Sequence, residues 1–382
     1  MNYDVIVVGG RVSGSIASMY ASKNGANVLM IEKHQEIGTP VQCAGGVSDS
    51  FFKKIDISPS SEYTLARVKG ATIYSPNRNS VTSKNKILKG RILERKNFDK
   101  NLAIQSANAG TEIMLKTTVK GLITENGQVK GVIAKHLGKI LEIPAKIVIA
   151  ADGIESNMAQ FYGLENRFKP KDICSCAQFE MVGLDVDPEM MKFYFGQKIA
   201  PGGYAWIFPK GDNRANVGLG IRSSQGNAYH YLQKFTEKLG GKKVEFNVGA
   251  VPIGGPIQKT YGNGLIVVGD AAGQVDPVTG GGIHVSAECA KIAGMVAADA
   301  VQKEDYSEKY LKNYEKIWKK QVGKNLEKSL RFRKIFDKLN DEDINNLLKS
   351  AQNNDIDSIS KLSILRLLKG YPELLKLLRT IL

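Results

Sequence analysis

Tyr3-Asp-Val-Ile-Val-Val-Gly-Gly-Arg-Val-Ser-Gly-Ser15, followed by Val28-Leu-Met-Ile-Glu-Lys33, governs how the rest of the chain is read. Val5 to Val8 is a run of β-branched apolar residues, the pattern of a strand buried on both faces. Gly9, Gly10 and Gly14 form a tight turn after it. Ser15 to Asn24 is predicted helical, with Ala17 and Ala21 on one face, and Val28 to Ile31 is a second buried strand that ends on Glu32. The result is a βαβ unit with a glycine-rich first turn and an acid about twenty residues on, the pattern of a dinucleotide site. The turn and the helix N-terminus offer N–H groups to a pyrophosphate, and Glu32 offers a carboxylate to a ribose diol. Arg11 occupies the position where a glycine usually lets the backbone approach the ligand. Its side chain must turn outward or bring its charge to a phosphate.

Composition sets outer limits. A chain of 382 residues is long for one core and predicts two or three subdomains. Hydrophobic content of 42% and a mean hydropathy of −0.21 describe a soluble globular protein. No run approaches a membrane span, and Met1-Asn2-Tyr3 enters the first strand directly, so no leader is expected and the expected location is cytoplasmic. Cys43, Cys174, Cys176 and Cys289 are scattered and suggest no disulfide framework; two lone thiols cannot close a zinc site, and no metal is expected. The net charge of +15 points to nucleic acid, an anionic membrane surface or an acidic substrate. Much of the excess lies between Lys309 and Lys338, interleaved with glutamates in a helical pattern. That is not a compact patch with aromatic platforms, so no nucleic-acid partner is expected, and peripheral contact with acidic lipid head groups is favoured over it.

Along the chain, Glu36 to Ser48 is a loop in which Gly38, Gly45 and Gly46 bracket Pro40 and Cys43, letting backbone lie against a flat ligand. Strands are predicted at Arg67 to Ser75 and Ser80 to Lys84 as a small antiparallel excursion near residues 65–90. Gly90 to Lys100 is read as the start of a helix, with Arg95 just before it, either meeting a phosphate or solvated at the surface. Glu112 to Thr118 is a strand, Gly121 to Ile133 a hairpin turning at Asn126-Gly127, and Lys146 to Ala151 a buried strand running into Asp152-Gly153. From Cys174 to Pro252 the texture is alternating, an antiparallel sheet. Within it, Pro201-Gly-Gly-Tyr-Ala-Trp-Ile-Phe-Pro209 places Tyr204, Trp206 and Phe208 on one face, as a core stripe or as the wall of an apolar cavity. Gly264 to Val268 returns to a buried strand ending in Gly269-Asp270. Gly280-Gly281-Gly282 opens an apolar helix from Ile283 to Ala300, and residues 301–382 are predicted helical, with a leucine-rich ending at 362–382.

Three fingerprints in order, Gly9-Gly10-x-x-x-Gly14, Asp152-Gly153 and Gly269-Asp270, resemble the FAD-binding fold shared by aromatic hydroxylases. Pro40-Val-Gln-Cys-Ala-Gly-Gly46, the aromatic motif at 201–209 and Asp276-Pro-Val-Thr-Gly-Gly-Gly-Ile283 resemble the geranylgeranyl reductase family, in its archaeal, lipid-saturating branch. The resemblance implies an α/β chain, α+β overall, with a doubly wound Rossmann-like FAD domain. Its first part would be 1–170, followed by an antiparallel substrate domain at 171–255, completion of the FAD domain at 256–300 and a helical C-terminal region at 301–382. It implies FAD contacts from Gly9, Gly10, Gly14, Glu32, Cys43, Ala44, Gly46, Arg95, Asp270, Gly282 and Ile283, and from the backbone of Val119 at a strand end. Tyr204, Trp206 and Phe208 would face the substrate.

The implied reaction is FAD-dependent saturation of geranylgeranyl chains in an archaeal glycerophospholipid, with hydride delivered from reduced flavin N5. Cys43, Tyr204 and His284 are the protic side chains near the implied site, Cys43 and Tyr204 being the catalytic candidates, with flavin-bound water as another proton source. With no second glycine fingerprint, the electron donor is external: a ferredoxin, reduced nicotinamide or another carrier. The rival enzyme reading is an FAD monooxygenase or halogenase on the same fold. A rival of another kind is a binding protein whose cofactor no substrate reoxidises.

Overall fold

The computed structural model describes residues 3–84, 89–164, 168–222 and 226–352. The opening strand, Tyr3–Val8, is buried along nearly its whole length because it is central in its sheet. It pairs in parallel with Val28–Ile31 on one side and with Lys139–Ala150 on the other. Leu265–Val267 and Glu112–Met114 extend the two flanks, also in parallel. Lys139–Ala150 serves two partners. Its first half pairs antiparallel with Gln128–His136, and from Ala145 onward it joins the parallel core. Its burial changes at that point, from exposed Lys139 and Ile140 to the fully buried Ile147-Val-Ile-Ala150. Helices Val12–Lys23 and Ile283–Gln302 pack together over one face, with Ile16, Ala17, Ala290 and Ala293 in the interface core.

A second, seven-stranded sheet runs in the order 242–252, 173–182, 214–221, 204–211, 190–194, 70–74, 80–83. It is antiparallel apart from one pair: Met190–Tyr194 lies parallel to Gly70–Tyr74. The excursion expected near 65–90 is therefore not a separate piece. Gly70–Tyr74 and Ser80–Ser83 complete the second sheet, whereas Thr64–Val68 joins Gly46–Ser48 and Gly90–Leu93 in a three-stranded sheet.

Other expectations shift by a few residues. The first helix starts at Val12, not Ser15. Gly90–Leu93 is a strand, and the helix after it begins on Arg95 itself and runs to Asn108. The strand predicted over 112–118 is interrupted at Lys116, which takes a left-handed φ of 50°. Val119 is not at a strand end: it is inside Thr117–Glu125, opposite Ala134.

The region after residue 300 is helical where it is described: Glu308–Trp318, a π-helical turn at Lys319–Gly323, Lys324–Phe336 and Asp341–Gln352. These helices dock on both sheets. Tyr314 and Trp318 are buried against the first domain, with Gln274 donating to the Tyr314 hydroxyl at 2.8 Å and Trp318 donating to Thr260 Oγ1 at 3.0 Å. Arg333 reaches Asp172 and the Ile253 carbonyl beside the second sheet. The leucine-rich ending at 362–382 lies outside the described residues. No described helix is long and apolar enough to cross a membrane.

Candidate active site

The carboxyl ends of the parallel strands carry the first part of the site. A Cβ at Gly14 would sit 1.7 Å from the Gly9 carbonyl oxygen, so the helix closes onto the turn only with hydrogen at that position. Arg11 is the N-cap, and no side chain caps the helix, which leaves its first-turn N–H groups pointing out of the turn. The Arg11 guanidinium swings away from those groups, donating to the Pro40 carbonyl at 2.5 Å and to Gln42 Oε1 at 3.1 Å. The non-glycine residue is thus accommodated by turning outward onto the 36–48 loop. Burial pulls its pKa down, with Asp99 opposing that effect and Arg95 reinforcing it. Glu32 is buried. Its Oε2 accepts the Gly10 N–H at 2.8 Å, and its Oε1 accepts the His34 N–H at 2.9 Å. Oε2 accepts no second hydrogen bond among the described residues. The Thr117 N–H donates to the Glu32 carbonyl at 2.9 Å, which places Val119 two residues from this corner.

Arg95 and Asp270 form the middle of the site. Arg95 is not a solvated surface arginine. It is buried and forks onto Asp99, Nε to Oδ1 at 3.0 Å and Nη2 to Oδ2 at 2.8 Å. Burial alone would disfavour its charge; Asp99, then Cys43, outweigh that and hold its pKa above the ordinary value. Asp270 lies in the 3-10 turn Gly269–Ala272, at the end of a buried strand. Burial pushes its carboxyl up to about 6, while the charges of Arg95 and Arg11 pull the other way. The helix Ile283–Gln302 starts on Gly282, again without a side-chain cap, so its N–H groups also open toward this centre.

A cavity of about 770 Å³ adjoins this centre. Tyr204, Trp206 and Phe208 stand along one wall, as strand periodicity predicts, with Cys43, Ala44, Gly46, Gly282 and Ile283 among the other lining residues. The aromatic stripe is therefore a cavity wall and not a sealed core. Phe193 of the neighbouring strand meets Tyr204 and Phe208 edge-on, with ring centroids 5.6 and 5.5 Å away. The Tyr204 hydroxyl donates to the Thr279 carbonyl in the loop before the triple glycine, and burial raises its pKa well above normal. The 36–48 loop glycines do more than clear space for a ligand. A Cβ at Gly45 would sit 2.4 Å from the Leu93 carbonyl, and one at Gly46 would sit 3.0 Å from the Phe208 ring, so both also seat the loop on the protein.

Several residues in or behind the cavity wall escaped sequence reasoning. Gln178 accepts from Trp206 Nε1 at 3.0 Å, and Asn216 donates to the Ala44 carbonyl at 3.1 Å. Ser48 Oγ lies 2.7 Å from His284 Nε2. Gln178 and Asn216 sit on strands among apolar neighbours, where an isolated amide on the inward face was the available signal. Cys174 and Cys176, on one face of their strand with Sγ atoms 3.9 Å apart, also line the cavity.

The arrangement joins a glycine turn, two uncapped helix N-termini, a buried carboxylate and an aromatic cavity in one continuous region. Those elements fit FAD, a ligand with an adenosine, a pyrophosphate and a flat redox ring. An apolar chain entering the cavity would lie beside the ring end.

Comparison with known proteins bears on both halves of the site. A family model described as an FAD binding domain matches residues 2–198, and one described as a geranylgeranyl reductase catalytic domain matches residues 172–251. The chain is 52% identical to digeranylgeranylglycerophospholipid reductase 2 of Methanothermobacter thermautotrophicus, over the full length of both. A solved structure described as a geranylgeranyl bacteriochlorophyll reductase-like protein from Thermoplasma acidophilum superposes with a TM-score of 0.92. It is 35% identical and is covered over 100% of this chain and 99% of that one. A myxobacterial chondrochloren halogenase superposes with a TM-score of 0.69 over 85% of this chain and 81% of its own, at 17% identity, a likeness of fold alone.

Proposed function

The chain belongs to the geranylgeranyl reductase family of FAD-dependent oxidoreductases, and from that premise we propose that it saturates the geranylgeranyl chains of a digeranylgeranyl glycerophospholipid, yielding the phytanyl form. The observation that carries this reading is the aromatic cavity of about 770 Å³, which runs from the Cys43–Gly46 loop to the start of the helix at Ile283. An isolated alkene offers nothing to hydrogen-bond, so a site for it must work by shape, apolar contact and exclusion of water.

Residues on both sides of the site would hold FAD. The Gly9–Gly14 turn and its helix would take the pyrophosphate, and Glu32 the adenosine ribose. Val119 would close that corner with its backbone, and Asp270 and Arg95 would take the central polar groups. Cys43, Ala44, Gly46, Gly282 and Ile283 would surround the ring, with the N–H groups after Gly282 facing its oxygen. Reduced FAD, when bound, supplies a hydride to one alkene carbon. The chain must supply orientation and a proton for the other carbon. Tyr204, Trp206 and Phe208 orient the isoprenoid, and contacts remote from the reacting bond hold successive double bonds in line. Two protic side chains stand out on the wall. The Tyr204 proton is already donated to Thr279, which makes Tyr204 an orienting group. The Cys43 thiol, beside Arg95, is the better placed to move a proton.

Electrons come from an external carrier: a ferredoxin, reduced nicotinamide or another. The cationic helices between Lys309 and Lys338 favour peripheral contact with an anionic membrane, where the lipid resides.

The test is an anaerobic single turnover. FAD-loaded protein is reduced with dithionite and mixed with digeranylgeranylglyceryl phosphate, and flavin reoxidation is followed with the lipid mass. Reoxidation with a gain of about two mass units per bond reduced, the two hydrogens of hydride plus proton, supports the reductase. A flavin that stays reduced with the lipid, but turns over once oxygen and an aromatic substrate are added, overturns it in favour of the monooxygenase.

A further inference from the structure

The aromatic cavity does not end at its apolar wall. A second cavity of about 850 Å³ shares Phe195, Gly202, Gly203, Arg222, Arg333, Phe336 and Asp337 with it, so the two chambers meet at those residues. The chambers differ in character. The second carries five cations, Lys169, Lys171, Arg222, Arg333 and Lys334, against two carboxylates, Asp172 and Asp337.

The ion pairs at the junction are built into the fold. Arg222 donates to the Gly202 carbonyl through Nε at 2.7 Å and grips both oxygens of Asp337 through its two terminal nitrogens. Arg333, only 7% exposed, donates to the Ile253 carbonyl at 3.0 Å and to Asp172 Oδ1 at 2.9 Å. Its Nε is buried without an acceptor; Asp337 Oδ2, at 3.6 Å, is too far for a hydrogen bond. A buried guanidinium N–H left unsatisfied is costly and marks a place for an anionic acceptor. Lys169, Lys171 and Lys334 are exposed at the rim and form no ion pair among the described residues.

We propose that this basic chamber binds the phosphate of the lipid substrate while the geranylgeranyl chains enter the aromatic cavity beyond the Arg222–Asp337 and Arg333–Asp172 pairs. The proposal rests on the lipid-reductase reading above and adds a phosphate subsite to it. An anion cannot follow the chain into the aromatic cavity without losing its hydration for no partner, so the phosphate stops at the junction. That stop fixes how far each chain reaches and therefore which double bonds arrive at the reacting position.

The test uses FAD-loaded full-length enzyme and a variant carrying Lys169→Gln, Lys171→Gln and Lys334→Gln. All three lysines are exposed and without ion pairs among the described residues, so the variant is expected to fold and keep its flavin spectrum. Binding of digeranylgeranylglyceryl phosphate and of its dephosphorylated alcohol, both in neutral detergent micelles, is measured by tryptophan fluorescence. The wild type should bind the phosphate on the order of 10- to 100-fold more tightly than the alcohol. The preference should shrink as salt rises. The variant should lose that preference while its affinity for the alcohol stays unchanged. Equal wild-type affinity for both lipids, or equal weakening of both in the variant, would overturn the proposal. Tight binding of inorganic phosphate with no preference between the lipids would assign the chamber to free phosphate and also overturn it. Single turnover separates this proposal from the reading beneath it: if alcohol and phosphate are reduced at equal rates, the reductase stands and the subsite falls, and if neither reoxidises the flavin, the reductase reading fails.

Discussion

A Cβ at Gly282 would lie 3.3 Å from Oδ1 of Asp270, so the helix cap and the carboxylate at the end of the neighbouring strand leave no room for a branched side chain between them. Gly282→Val should wedge these two elements apart. We expect FAD retention to weaken by about 10-fold or more, as overpacking costs of this kind imply. The flavin-to-protein absorbance ratio after desalting checks this, and circular dichroism should show the fold retained.

Asp270 should leave a pH signature in the FAD-free protein. Its carboxyl is pushed from the ordinary 3.8 to about 6 in the folded state, so the native protein holds this proton to higher pH than the unfolded chain does. The sign follows: this residue costs no stability below pH 3.8, and its cost grows as pH rises through about 6. Asp270→Asn should therefore be more stable than wild type by ~1–3 kcal/mol at pH 7.5, with the gap closing toward pH 4. Melting temperatures of both proteins across that range give the answer, and a gap that widens toward acid would contradict the assignment.

Trp206 packs where residue 218 has no side chain. A Cβ there would sit 2.4 Å from the indole. Gly218→Val should push Trp206 into the cavity and off Gln178. Lipid kcat/KM is expected to fall on the order of 10- to 100-fold, because correct alignment of the chain is lost, with FAD content unchanged. Loss of FAD along with activity would mean that the strand itself had been disrupted.

Cys43 and Tyr204 separate by what their protons do. Tyr204→Phe removes a hydroxyl already donated to Thr279 and should slow single-turnover flavin reoxidation by less than about 10-fold. Cys43→Ala removes the thiol beside Arg95 and should slow it by about 100-fold or more, within the range for a lost general acid. The reverse ranking would move the proton-transfer role to the tyrosine.

The tail helices should be integral to the first domain. Trp318 is 1% exposed, and its donation to Thr260 couples it to Glu315, whose Oε2 accepts both the Thr260 N–H at 3.0 Å and the Thr260 hydroxyl at 3.1 Å. Trp318→Ala should cost ~3–5 kcal/mol of stability. Denaturant unfolding measures it, and a loss under about 1 kcal/mol would mean that this helix docks only loosely.

The local rules of the chain determined much of this protein. Apolar runs at 5–8, 28–31, 147–151 and 265–268, each followed by glycine or an acid, read as buried parallel strands with ligand-facing ends. Strand periodicity put Tyr204, Trp206 and Phe208 on one face. Those signals act over a few residues, through backbone sterics and alternation, and so they are written in the sequence itself. Tertiary structure decided what depends on distant partners. It buried the helical i,i+4 pair Arg95–Asp99 in the interior, a depth that local spacing does not set. It sent Arg11 outward to Pro40 and Gln42, and moved 70–83 into the second sheet, because the edge of Met190–Tyr194 needed hydrogen-bond partners. It also brought Arg222, just past the end of a strand, to Asp337 after a helix more than a hundred residues later, and so formed the junction between the apolar and basic chambers. No spacing rule reaches that far, because long-range pairing is settled by the packing of whole elements and not by the local preferences of either residue.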